Sequence, residues 1–249
     1  MKKLILLLMV LVVSLFAKPL KPESVLAKEL TKLDKGQQEL LFKSYIYAEQ
    51  NGYGYTLTAV AWKESNFGKI VANPKEGKYG TYGPYQSKVE DVLARNHLKP
   101  TKDNIAKVRE QLLHDLKFAA NDAIIELKAW DHSHAKKKKV NVYRSTLAAY
   151  NAGTAAEKSS LGKGYAEDIV HRLPIVKKYI MSKPELLASY KEHAKTIDRL
   201  SSFIKVSDPK DIRIILSCTT FDLKPLGATY LSTVTARELI PSLAKDELV

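Results

Sequence analysis

Leu57-Thr58-Ala59-Val60-Ala61-Trp62-Lys63-Glu64-Ser65 sets apolar side chains at 57, 60 and 61 and an acid at 64. That spacing is one stripe of an amphipathic helix. It predicts a core-facing helix whose apolar side ends in a glutamate. Burial and the negative end of a helix both disfavour a charged carboxyl there. Such a group keeps its proton near neutral pH and can act as a general acid. A glutamate that merely ends the helix and turns into solvent fits the same spacing, and the stripe alone favours that plainer reading until the later patches are added.

Working outward, Asp34-Lys35-Gly36-Gln37 reads as a capping box that opens a helix running to Asn51-Gly52. Leu40, Leu41, Ile46 and Tyr47 supply its apolar side. Residues 68–86 have no helical period. Gly77, Gly80, Gly83, Pro74 and Pro84 predict a loop, with Tyr79, Tyr82 and Tyr85 interleaved. A loop of that length tends to carry function, although its tyrosines would serve equally as filler beneath it.

Residues 101–130 form the longest periodic stretch, with Ile105, Val108, Leu112, Leu116, Ala119, Ala123 and Leu127 along one face. They predict one buried central helix. Asp131-His132-Ser133-His134 then reads as a solvated polar hairpin rather than a metal site, and the Lys136 to Lys139 run as a solvated loop able to touch an anionic surface. Helices follow at 142–152, stopped by Gly153, and at 165–180, where Pro174 should kink or split the helix. Ser182-Lys183-Pro184-Glu185 reads as a second capping box. After Asp208-Pro209 the composition shifts. Residues 212–219 suit a strand, with a partner near 228–234, and 235–238 could open a last helix. The expected fold class is mainly α, with a helical or mixed C-terminal extension.

The N-terminus resembles a secretory signal: Lys2 and Lys3, an apolar run over 4–16 broken by Ser14, then Ala17 ahead of Lys18-Pro19. The run is short for a membrane span. Leu15 is larger than the usual residue three before a cut, so retention as an anchor stays open. No cysteine lies near the cut, which argues against a lipid-modified terminus. The chain is then expected to be exported and periplasmic. Cys218 is the only cysteine, so no internal disulfide can form. The net charge of +13, or +11 without Lys2 and Lys3, favours a polyanionic partner, and an exported location argues against nucleic acid. No cofactor is expected.

Three patches occur in order: Glu64-Ser65-Asn66-Phe67, Gly83-Pro84-Tyr85-Gln86 and Ala148-Ala149-Tyr150-Asn151-Ala152-Gly153. Together they resemble the catalytic domain of the soluble lytic transglycosylases, glycoside hydrolase family 23, with its lysozyme-like fold. Asp103-Asn104-Ile105 also looks like that family's pattern. The resemblance spans 37–181. It leaves 1–17 as signal, 18–36 as a linker or helix and 182–249 as an extension of unknown role that could hold a protein partner. By resemblance, Glu64 is the single acid/base acting on the bond between N-acetylmuramic acid and N-acetylglucosamine in peptidoglycan strands. It would protonate the bridging oxygen and then take the proton of the muramic C6 hydroxyl, giving a 1,6-anhydro end without water. The resemblance implies that Ser65 supports the site through a hydrogen bond, that Gln86 and Tyr150 meet substrate and that Tyr165 is a further cleft tyrosine. Asn151 would brace the helix–loop junction.

The middle patch departs from the family's usual Gly-Leu-Met-Gln. Tyr85 would add a stacking ring to the cleft and change the shape of a subsite. A single acid fits a substrate that supplies its own nucleophile, whereas ordinary glycosidases need two carboxylates. Two other readings keep the same scaffold. One is a goose-type lysozyme-like hydrolase, in which Glu76 or Glu90 would position water. The other is a non-catalytic murein-binding assembly protein.

Overall fold

The computed structural model describes residues 20–156 and 158–204. The expected signal, the strand at 212–219 with its partner, the helix at 235–238 and Cys218 lie outside the described residues. The described chain is mainly α. No helix in it is long and apolar enough to cross a membrane.

The first helix, α1 (Glu23–Thr31), is part of the core rather than a linker. Leu26 and Leu30 are fully buried, and the helix packs on α8 (Ser160–Met181). The helix α2 (Lys35–Glu49) begins with the expected capping box. The Asp34 carboxylate accepts from the Gln37 N–H at 2.9 Å, and the Gln37 side chain accepts from the Asp34 N–H at 3.2 Å. Its buried side carries Leu41, Phe42, Tyr45 and Ala48, while Leu40, Ile46 and Tyr47 are only partly covered.

The central element is α3 (Gly54–Ser65), which packs against α2 and α8 and whose residues 56–62 are all buried. The sequence placed that role at 101–130. There the chain instead forms two helices, α5 (Lys102–His114) and α6 (Leu116–Lys136), divided at Asp115. The Asp115 carboxylate accepts from the Phe118 N–H at 2.8 Å and so caps α6. The apolar period runs across the break without a gap, which is why it read as one helix.

Between α3 and the short helix α4 (Val89–Arg95), residues 68–86 are more ordered than a loop. Strands β1 (Ala72–Asn73), β2 (Thr81–Tyr82) and β3 (Ser87–Lys88) form an antiparallel sheet in that order, with Ala72 opposite Tyr82 and Thr81 opposite Lys88. Gly83, at φ 81°, lies against α5, where a Cβ would sit 2.4 Å from the Leu112 carbonyl oxygen. No other residue fits there without shifting that backbone.

Helix α7 (Val142–Ala152) runs into a 3₁₀ turn, Gly153–Ala155, before α8. Gly162 of α8 lies against Ala148 of α7, where an added Cβ would meet the Ala148 carbonyl at 3.0 Å. Pro174 leaves α8 undivided, with Ile169, Val176 and Ile180 buried on either side of it. Packing of both halves outweighs the cost of the missing N–H, about 3 kcal/mol.

The helix α9 (Pro184–Ile204) starts one residue later than a box capped by Ser182 would open it. The Ser182 hydroxyl donates back to the Tyr179 carbonyl at 2.7 Å instead. The first compact unit runs through Tyr190, past the boundary expected at 181, because Leu186, Leu187 and Tyr190 join its core. Tyr190 stacks on Phe42 with ring centroids 5.4 Å apart. In the second unit, which begins at Lys191, the Thr196 hydroxyl bonds back to the Glu192 carbonyl within the same helix.

Candidate active site

Glu64 stands in the last turn of α3, with Leu57, Val60 and Ala61 of its stripe fully buried. The helix stops just after it. Asn66, Phe67 and Gly68 are consecutive left-handed residues at φ 50°, 54° and 83°. The Phe67 N–H closes the end on the Ala61 carbonyl at 3.1 Å. The Gln37 amide donates to the Asn66 carbonyl at 2.8 Å, which ties the start of α2 to this turn. Ser65 is buried, and its hydroxyl donates to Ala61 O and accepts from the Gly68 N–H at 2.9 Å. The group expected to support a sugar therefore braces the helix end.

The Glu64 side chain is half-buried. Burial lifts its carboxyl to a pKa of about 7. The neighbouring Tyr165 hydroxyl and the Lys63 ammonium pull it down, while the negative charges of Glu76 and Glu126 push it up. The Lys63 ammonium is itself paired with Asp168, which also accepts from Arg172 Nε at 2.9 Å. The cation next to Glu64 in sequence is thus drawn toward another acid. Of the two readings open to this glutamate, the coordinates show the partly enclosed one.

Tyr150 and Tyr165 stack beside it, with centroids 6.5 Å apart and planes at 22°. Tyr165 is buried, and its hydroxyl lies near enough to Glu64 to favour the charged carboxyl, yet it closes no hydrogen bond of ordinary length. Burial pushes both phenols well above their usual range, and the charge of Glu64 adds to this in each. The Tyr150 hydroxyl donates to the main-chain carbonyl of Tyr85 at 3.0 Å.

Tyr85 does not face a cleft. It is 1% exposed, and its hydroxyl shares a 2.8 Å hydrogen bond with Ser44 on α2. A ring at that position fills the core, and its one polar atom finds a hydroxyl there. Gln86, left-handed at φ 51°, spends its amide inside the sheet. It accepts from the Thr81 hydroxyl at 3.0 Å and donates to the carbonyls of Gly83 and Ile70 at 2.9 and 3.3 Å. The amide expected to meet a sugar is engaged with its own loop. Asn151 is exposed, and its side chain makes no hydrogen bond among the described residues, so it does not brace the junction.

Sequence reading missed Glu126. It lies on α6 as the outer member of a half-buried set in which Arg95 grips Asp122 through two hydrogen bonds of 2.9 and 2.7 Å and reaches Glu126 at 3.3 Å. Arg95 is largely neutralised by Asp122, and burial raises the Glu126 carboxyl. No motif marks this residue. The usable signal was an acid at 126 on the helical turn after an acid at 122, next to the apolar Leu127.

The two acids weighed for water positioning differ. Glu76 is exposed, accepts from Asn73 Nδ2 at 2.9 Å and acts on Glu64 through its charge. Glu90 accepts the N–H groups of Lys78 and Tyr79 at 2.9 and 3.4 Å. Its carboxyl is lowered despite partial burial, because those backbone bonds outweigh desolvation. Glu90 is a tether for the turn between β1 and β2.

Residues 131–134 are helical, not a hairpin, and His134 is buried with its ring stacked on Trp130 at 5.9 Å. Among the described residues no three His, Cys, Asp or Glu side chains cluster closely enough to hold a metal ion. Two cavities of about 230 and 240 Å³ lie away from Glu64. The first is bounded by His134, Arg144 and Lys163, the second by Tyr55, Tyr143 and Lys177. No family model, curated protein or solved structure matches the chain.

Proposed function

We propose that this chain is a peptidoglycan lytic transglycosylase of the periplasm, with Glu64 as its only acid/base. The observation that carries the reading is the Glu64 carboxyl, held at a pKa of about 7 by burial at a helix end beside two stacked tyrosines. A group with that pKa is protonated in a large share of molecules at neutral pH and gives up its proton readily. Glu64 protonates the oxygen between N-acetylmuramic acid and N-acetylglucosamine, and the C1–O bond breaks. The resulting carboxylate then takes the proton of the C6 hydroxyl, whose oxygen bonds to C1. The proton returns to Glu64, and a 1,6-anhydro ring is formed with no water consumed. The ordered patches around Glu64, Gln86 and Tyr150 support this substrate class by resemblance.

A hydrolytic reading on the same scaffold is favoured by one observation. Glu76 is exposed and close enough to Glu64 to act on it by charge, so it is placed to orient a water. Digestion of purified murein by wild type beside Glu64→Gln, read by mass spectrometry, tests both. Anhydro ends from wild type and none from the variant support the proposal. Reducing ends carrying an added water support the hydrolase instead. Equal clearing by both proteins would overturn Glu64 as the acid.

A further inference from the structure

The strongest feature outside the site is the second cavity, of about 240 Å³, where the first turns of α3 and α7 meet the middle of α8. Tyr55 and Thr56 line it from the first turn of α3, whereas Glu64 stands in the last. At 1.5 Å per residue the cavity lies about 12 Å along the helix from that acid. Gly52, at φ 77°, edges the cavity, and an added Cβ there would meet nothing within 4 Å, so the mouth is open on that side. The volume falls below the range of drug-sized sites, about 300–1,000 Å³, and calls for a small ligand.

Leu173 and Pro174 of α8 give the cavity an apolar wall. Its polar groups are few. The Tyr143 hydroxyl shares a 2.8 Å hydrogen bond with the buried Thr56 hydroxyl. When the threonine donates, the phenol proton is left to donate outward. Burial raises the Tyr143 phenol, so it keeps that proton. Lys177 is exposed, its ammonium lies 6.0 Å from the centre of the Tyr55 ring, and it makes no ion pair among the described residues. Two acids stand nearby without lining the cavity. Glu49 accepts the Tyr45 hydroxyl at 2.7 Å, and the charge of Asp131 acts on Tyr53. The cavity thus offers one unpaired ammonium, one phenol proton and an apolar wall.

We propose that this cavity binds a small apolar carboxylate, with its charged end on Lys177 and the Tyr143 hydroxyl and its hydrocarbon part against Leu173 and Pro174. The ammonium sets the sign of the ligand, and a hydrogen bond between two charged groups is the stronger kind. The wall sets the apolar body, which gains by leaving water. A neutral sugar fits less well, because it needs an open ring face. Tyr55 is already engaged, with Tyr45 at 4.9 Å between centroids and Lys177 over the ring. The same chemistry is carried by a free short-chain acid and by the carboxyl end of an apolar peptide. The inference stands apart from the activity proposed for Glu64.

The test uses the full-length chain labelled with meta-fluorotyrosine and read by fluorine NMR. Tyr55→Phe, Tyr143→Phe, Tyr150→Phe and Tyr165→Phe identify the four signals that matter. The probes are isovalerate and N-acetyl-alanyl-alanine, each beside its amide. One or both acids should move the Tyr55 and Tyr143 signals to saturation, while the amides leave them in place. Tyr150 and Tyr165 should stay still, since only a ligand beside Glu64 would move them. Lys177→Gln should raise the half-saturating concentration by at least about tenfold, the weight of one charge-assisted hydrogen bond, whereas Lys178→Gln, at the exposed residue next to it, should not. Formate, which lacks the hydrocarbon, should bind more weakly than isovalerate. A response to isovalerate alone assigns a free acid and a response to the peptide alone assigns a peptide end; either supports the proposal. Signals at Tyr55 and Tyr143 that ignore both acids, an equal response to the amides or to formate, or no loss in Lys177→Gln overturns it. Shifts confined to Tyr150 and Tyr165 assign the acid to the Glu64 site and overturn it too.

Discussion

The hydroxyl of Tyr150 donates to the main-chain carbonyl of Tyr85 across 3.0 Å, 65 residues apart in the chain. This bond fastens α7 to the turn between β2 and β3. It accounts for two of the three sequence patches lying together, since the tyrosine of one holds the backbone of the next. The third patch joins through Tyr165, which stacks on Tyr150 and adjoins Glu64.

Tyr150→Phe keeps the ring and removes the bond. The Tyr85 carbonyl is then left without this donor, at a cost of about 1–3 kcal/mol. Chemical denaturation should show that loss, with murein clearing reduced but measurable. An unchanged midpoint would mean that water takes over the bond.

The Glu64 carboxyl has a folded-state pKa of about 7, above its value in the unfolded chain. The folded state therefore holds this proton more tightly, and the contribution to stability is full below the unfolded pKa. It is lost as pH rises through about 7. Glu64→Gln carries no such charge. The variant should match wild type near the acid end and exceed it on the alkaline side, by up to about 3 kcal/mol for a rise from 4.5 to about 7 at about 1.4 kcal/mol per pKa unit. Urea denaturation at a series of pH values checks this, and a variant less stable than wild type under alkaline conditions would contradict it.

Glu126 adds negative charge beside Glu64 and raises its carboxyl. Glu126→Gln removes that charge while Arg95 keeps Asp122. The alkaline limb of the pH–rate profile should then move to lower pH. Removing the salt link to Arg95 alone, as a purely structural role would have it, leaves the limb in place. Initial rates on labelled murein across pH separate the two.

Leu26→Ala tests whether α1 belongs to the domain. Leu26 is fully buried against the core, so the truncation should cost about 3 kcal/mol. A thermal midpoint equal to wild type would return 23–31 to the role of a linker.

Local chemistry was the most readable part of the sequence. The Asp34–Gln37 box is decided by residues three apart, and it formed as expected. The burial of Leu57, Val60 and Ala61 follows from helical period. Asp115 was hidden because its capping bond is local while the apolar period around it is unbroken. Tyr85 was misjudged for the opposite reason: its partner is Ser44, on another helix. Ser65 and Gln86 have side chains that suit a sugar or a backbone equally well, and only the folded loop shows which they chose. Glu126 gains its place from Arg95, which sits on a different helix.

Because the ring at 85 is sealed inside while its carbonyl anchors a neighbouring helix, that position is closed to tuning of whatever ligand preference the proposed activity would have. Smaller residues there hollow the interior and larger ones press on α2, so variation in selectivity has to come from the rim, where side chains can change without moving the scaffold.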